Sequence, residues 1–165
     1  MNALKCIETR RSIRKYKDKE ICGKIIDKIV KSAIYAPSGK NGQPWKFKVV
    51  LDKSIIKNIS ELSIYRAWMQ TAPCFILVFL DKSLSYDYIK DVQSCGAAMQ
   101  NIMLCAHSLK IGSCWIGEIL SRSNDVKKLV GINDNSLELM GIVVLGHSNE
   151  KNVLPIRKNE ASFLL

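Results

Sequence analysis

The chain lacks most of the residue sets that build catalytic centres. In 165 residues there are two histidines, His107 and His147, and no C-x-x-C pair among the six cysteines. A structural metal site needs ligands at recurring spacings, so that class is not expected. There is no lysine-bearing phosphate loop and no G-x-G-x-x-G after a strand, which excludes those two nucleotide-binding signatures. The longest apolar run, Ala72 to Leu80, is too short for a membrane helix. Residues Met1 to Lys5 carry no apolar signal core. A cytoplasmic protein with reduced thiols, and no membrane partner, is the expectation. Aromatic residues are only 7% of the chain.

What is present is positive charge, unevenly placed. The formal net charge is +10, and residues 1–60 carry the whole excess while residues 61–165 balance to zero. Such asymmetry points either to a local anionic partner or to a lysine-rich solvated surface. A nucleic-acid-binding module is the reading from a different class, but no nucleic-acid signature accompanies the charge. Apolar residues reach 47%, enough for a real core in one domain spanning residues 1–165.

Periodicity predicts a short helix over Ala3–Thr9 and an amphipathic helix over Ile21–Ile34. Trp45, Phe47, Val49 and Leu51 alternate with Lys46, Lys48 and Val50, as in a strand with one buried face. A helix follows around Ile55–Leu62. Cys74–Leu80 is continuously apolar and reads as a strand buried on both faces. Asp87–Leu109 is a long helix, Asp125–Val130 a short one closed by Gly131, and Leu139–Leu145 a third strand. A layered α/β or α+β domain follows. The tail ends in Phe163-Leu164-Leu165, an apolar tip expected to dock on its own body or on a partner.

Three segments could carry chemistry. Arg10, Arg11 and Arg14 surround Ser12, and guanidinium forks with a hydroxyl match phosphate oxygens. A solvated helix end is the alternative. Pro37–Trp45 is a breaker-rich polar loop between buried elements, either a binding loop or a surface turn. Gly112–Gly117 is bounded by glycines, which let backbone approach a flat ligand; a helix cap followed by an edge strand is the alternative. Neither histidine has a partner at useful spacing, so neither is expected in catalysis. No catalytic acid–base residues are assigned, and an organic cofactor is expected to carry the chemistry.

These segments, taken in order, resemble the FMN-dependent nitroreductase family. Arg10-Arg11-Ser12-Ile13-Arg14-Lys15-Tyr16 is similar to its N-terminal signature, and Ala36–Trp45 to its second. Gln100–Ala106 followed by Gly112–Gly117 is similar to its central helix and flavin-facing loop, and Pro155-Ile156-Arg157-Lys158 closes the series. The resemblance implies an α+β fold with a central mixed or antiparallel sheet flanked by helices, and a C-terminal tail exchanged with the partner subunit. It implies a homodimer with FMN at the subunit interface, NADH or NADPH as hydride donor, and a small flat acceptor such as a nitroaromatic or quinone. Arg10, Ser12 and Arg157 would hold the phosphate, with Arg11 nearby and Arg14 at the N1/O2 edge of the ring. Pro37, Ser38 and Gly39 would reach the flavin from the other subunit. Ile116, Gly117 and Glu118 would pass along the ring, and a residue of Tyr65–Trp68 would touch its edge. Alternatives on the same scaffold are a dehalogenating or flavin-fragmenting enzyme and a non-enzymatic flavin carrier. Two departures stand out: Tyr86–Asp91 has no room for a pocket-covering insertion, and Lys110 occupies a place where glycine is common.

Overall fold

The computed structural model describes residues 2–151 and 157–163. Its helices are α1 (Ala3–Thr9), α2 (Gly23–Ala33), α3 (Lys53–Glu61), α4 (Arg66–Met69), α5 (Tyr88–Ser108) and α6 (Ser123–Leu129). Its strands are β1 (Trp45–Val50), β2 (Cys74–Asp81), β3 (Gly112–Ile116) and β4 (Leu137–Gly146). The strands form one antiparallel sheet in the order β1-β2-β4-β3. The fold is α+β, as expected.

Alternation along β2 explains its unbroken apolar sequence. Cys74, Ile76, Val78 and Leu80 face one core, where α2 and α5 bring Ile29, Ala33, Ala98, Ile102 and Ala106. Phe75, Leu77 and Phe79 face the other, against Ile56 and Ile59 of α3, Met69 of α4 and Val126 of α6. Both faces are covered, so neither can be polar. Burial pushes the Cys74 thiol up to about 12, and it behaves as a small hydrophobe. Cys105 is half-buried against the first core, with its thiol toward the Lys28 carbonyl.

Two expectations need correction. Strand β1 ends at Val50, and Leu51 is 54% exposed. Val50, expected on the open side, is buried in the second core because α3 folds back over that face. The sheet also has a fourth strand. Gly112–Ile116, for which an edge strand after a helix cap was the alternative reading, is that edge strand and pairs with β4 from Gly112↔Gly146 to Ile116↔Ile142.

The basic connector after α1 is attached to this outer strand. Ser12 bridges Ser113 in the parallel sense, and the Ile13 N–H donates to the Ser113 carbonyl at 2.9 Å. Tyr16 bridges Ser148, and the Lys17 and Asn149 N–H groups donate to His147 and Lys15 carbonyls, both at 2.8 Å. The connector thus covers the edge that β3 would otherwise leave open.

Helix α5 ends in a Schellman turn: Ile111 N–H donates to the Ala106 carbonyl and Lys110 N–H to that of His107. Lys110 takes φ +62°, which explains why its place suits glycine. Beyond the sheet, Glu160–Phe163 forms one 3₁₀ turn with Phe163 exposed. Of the tail positions singled out above, Pro155, Ile156, Leu164 and Leu165 lie outside the described residues. Among the described residues, no helix is long and apolar enough to cross a membrane.

Candidate functional site

The head of β3 collects the arginines. Arg10, Arg11 and Ser12 are half-buried and Arg14 is exposed. Burial, and then repulsion from Arg157 and Arg11, holds the Arg10 guanidinium below its ordinary value. Arg157, far along the sequence, is therefore beside Arg10 in the fold. None of the described ion pairs involves Arg10, Arg11, Arg14 or Arg157. The nearest carboxylate contact is to backbone, where Glu150 Oε1 accepts from the Arg14 N–H at 2.8 Å. Arg11 Nη1 donates to the Glu8 carbonyl at 2.7 Å, but among the described residues its buried Nε has no partner, and neither does the buried Ser113 Oγ.

Underneath, the Ser12 hydroxyl is a hydrogen-bond partner of the buried Cys114 thiol. Burial pushes that thiol up, against the opposing pull of Arg14, the Ser12 hydroxyl and Arg10. Like-charged guanidinium groups with no ion pair among the described residues, over buried donors, make a site for an anion.

The far end of β3 is open. From Ser113 to Gly117 the strand advances about 13 Å at roughly 3.3 Å per residue. Ile116 is buried and Gly117 exposed, and a Cβ built on Gly117 would meet nothing. Glu118 opens a 3₁₀ turn, and the first N–H groups of such a turn have no partner inside it. The Glu118 side chain is turned away: its Oε2 accepts from the Ser63 hydroxyl at 2.7 Å. Ser63 Oγ also accepts from the Tyr65 N–H at 3.1 Å, and Tyr65 stands against Trp68 with ring centroids 5.9 Å apart. Spacing could not foresee this link between the α3–α4 turn and the end of β3.

The loop residues lie elsewhere. Pro37, Ser38 and Gly39 line a cavity of about 330 Å³ with Tyr86, Lys90, Ser94 and Ala97. Ser38 Oγ accepts from the Gln43 N–H, while Lys40, Asn41 and Gln43 all take positive φ. Gly39 is pressed against Tyr86, and any Cβ there would overlap the Tyr86 hydroxyl. This cavity flanks the first half of α5, whereas Cys6 and Thr9, next to the arginines, contact Leu104 and His107 in its last turns. Ser94 and Ala97 are separated from His107 by ~15–20 Å at 1.5 Å per residue. One chain therefore brings Arg10, Arg11, Ser12, Arg14 and Arg157 together around the head of β3 and Ile116, Gly117 and Glu118 at its end, but sets Pro37, Ser38 and Gly39 apart.

Local spacing offers His107 no partner, but the fold does: its Nε2 lies 2.8 Å from Thr9 Oγ1. The contact joins residues on two helices and leaves no trace in local spacing.

A family model described as the nitroreductase family matches residues 7–64 and 60–147. The chain belongs to the nitroreductase family. It is thus a nitroreductase-type oxidoreductase by descent. A protein named NADH dehydrogenase/NAD(P)H nitroreductase from Archaeoglobus fulgidus is 41% identical over 151 residues, 90% of this chain and 86% of that protein. One of the same name from Methanothermobacter thermautotrophicus is 38% identical, covering 91% of this chain and 79% of its own. The crystal structure of a nitroreductase from Desulfovibrio desulfuricans, in complex with FMN, superposes with a TM-score of 0.94 at 34% identity. That match covers 100% of this chain and 96% of the other. The family resemblance carried by the four motifs is therefore correct, and the nitroreductase fold, with its four-stranded antiparallel sheet, is this chain's fold.

Proposed function

We propose that this nitroreductase binds FMN along β3 and uses NADH or NADPH to reduce a small flat acceptor such as a nitroaromatic or quinone. The observation that carries the reading is the arginine group at the head of β3, which makes no ion pair among the described residues. The Desulfovibrio relative was crystallised with FMN. The residues fit such a group. A phosphate would satisfy Arg10, Ser12 and Arg157, with Arg11 Nε and Ser113 Oγ as unpaired donors nearby. A planar ring would need an unobstructed backbone, which Gly117 offers.

When bound, FMN supplies a ring that accepts hydride from the nicotinamide and passes electrons on. The chain's own part is to position and to polarise. Arg14 contributes fixed positive charge that favours a ring carrying extra negative charge. The Glu118 N–H would serve as a donor to the ring, and Ile116 and Gly117 would line it. The Ser63–Glu118 bond keeps the carboxylate from turning toward that donor. No side-chain acid or base is required, since the nicotinamide and the ring supply the reacting atoms.

The working unit in this reading is a homodimer whose sites are shared. Pro37, Ser38 and Gly39 of one chain complete the site built on the arginines of the other, because within one chain they stand at opposite ends of α5. Exchange of the C-terminal tail between subunits belongs to the same reading. The test is direct. The purified protein should show a flavin spectrum, and stopped-flow absorbance should follow its bleaching by NADH and NADPH. A flavin never reduced by either nicotinamide would leave the carrier or flavin-fragmenting alternatives. A colourless protein that does not take up FMN would end the flavin reading.

A further inference from the structure

We propose that His107 is the proton-linked member of the phosphate anchor: it takes up a proton as the phosphate of FMN settles beside Arg10 and Arg11, and returns it to solvent when the cofactor leaves. This rests on the FMN reading above.

The geometry assigns the proton. The Thr9 hydroxyl has one hydrogen, which it donates to the Lys5 carbonyl. Its lone pairs therefore face the ring, so His107 Nε2 carries a hydrogen and donates to Thr9 at 2.8 Å. Nδ1 is left as the nitrogen that titrates.

The surroundings are poised. His107 sits in the last turn of α5, where the negative end of the helix favours a cation. Against this, partial burial and then the charges of Arg10 and Arg11 hold the imidazole below its ordinary value. Those two arginines, from the connector, are the charges that act on the ring. Helix α1 presents the neutral Thr9 and Cys6, whose thiol donates to the Leu104 carbonyl, while Arg157 stands by Arg10. Removing the protein's own repulsion is thus enough to shift the balance.

A phosphate monoester brings close to two negative charges at neutral pH. Placed on Arg10 and Arg11, it cancels the field that keeps the ring neutral. A dianion within several ångströms in a partly hydrated site raises the ring's midpoint by about one pH unit. Between the free and bound midpoints, binding consumes a proton, so FMN affinity through this group falls as pH rises. The phosphate's own second ionisation works in the opposite sense, because the dianion is the better ligand. The imidazole itself must therefore be read.

Two histidines make that possible by NMR. The Cε1–H signals of His107 and His147 are titrated in the full chain, ligand-free, with FMN and with riboflavin, and assigned with His107→Gln. We expect the His107 midpoint to rise with FMN and not with riboflavin. His107→Gln keeps a donor toward Thr9 but cannot titrate, so its loss of FMN affinity should be larger at pH 6 than at pH 8, approaching tenfold for one pH unit. If FMN binds and the His107 midpoint stays where it was, the inference is overturned while the flavin reading stands. If fluorescence shows no FMN binding at any pH, both are overturned. Should the variant fail to fold, the FMN and riboflavin titrations of the unaltered chain decide alone.

Discussion

Ser63 donates its hydroxyl hydrogen to Glu118 across 2.7 Å and, through the same oxygen, accepts from the backbone of Tyr65. One buried hydroxyl thereby fixes both the turn after α3 and Glu118, the second residue beyond β3. It also separates the two halves of Glu118: the carboxylate is engaged with Ser63, and the N–H remains for a ligand.

That separation can be tested. Glu118→Ala keeps the N–H and should remain active, with stability lowered by about 1 kcal/mol for the lost hydrogen bond. Glu118→Pro removes the N–H and should slow flavin reduction about tenfold or more, the scale of one positioned donor. Stopped-flow bleaching by NADH compares them; equal rates would remove the backbone donor from the mechanism.

The phosphate anchor makes a separate demand. Arg10→Ala should weaken FMN by about 1–3 kcal/mol, the scale of a lost charge-assisted bond, and leave riboflavin nearly unaffected. Fluorescence titration with both flavins measures this. Equal affinity of the unaltered protein for the two would exclude a phosphate site at Arg10.

Shared sites predict complementation. A chain with Arg10→Ala and Arg14→Ala and a chain with Ser38→Trp should each bind FMN poorly as homodimers. In the mixed dimer one site carries both defects and the other neither, so FMN binding should return at one of the two sites of every mixed dimer. Ultracentrifugation showing a monomer at full FMN occupancy would rule out sharing.

The long outlines of the fold were legible in sequence because they rest on local periodicity. The α5 pattern and the continuous β2 run translate directly into a helix and a doubly covered strand. The four-residue helix α4 was not legible, and strand β3 only as the alternative reading of Gly112–Gly117, since each is too short for a period and is held by tertiary pairing. The site divides in the same way. Arg10, Arg11, Ser12 and Arg14 announce themselves by proximity in the chain. Thr9–His107 and Ser63–Glu118 are contacts between distant segments, and no spacing rule reaches them.

Lys110 offers a stability test. Its left-handed backbone is costly for any side chain with a Cβ, and glycine would relieve that while raising the entropy of the unfolded chain. Lys110→Gly should therefore stabilise the protein by about 0.5–1 kcal/mol net. Urea denaturation should show a higher midpoint at unchanged slope; a lower midpoint would mean that the lysine side chain contributes something the turn conceals.

The acid side of the stability curve has a named contributor. At the start of α3, the Ser54 hydroxyl and the N–H groups of Ile55 and Ser54 hold the Asp52 carboxyl below its ordinary value. A depressed folded value means that the unfolded chain binds the proton more readily. The stabilisation is present above the unfolded midpoint, near pH 4, and is lost as pH falls through the lower folded one. Asp52→Asn keeps the cap but cannot titrate, so its stability should vary less with pH below about 4. Urea unfolding between pH 2 and 6 would show an unchanged slope if Asp52 were not involved.

The attachment of the connector to β3 also sets an order of assembly. Ser12, Lys15 and Lys17 find their partners at Ser113, Asn149 and His147, near the other end of the chain. During synthesis the anchor's own residues emerge early and wait through the making of three strands before there is an edge to receive them. Contacts of such long range form late, after the loops between them have closed. The cationic segment is thus unattached until β3 and β4 have been made, and the pocket it helps to build takes shape only after the sheet.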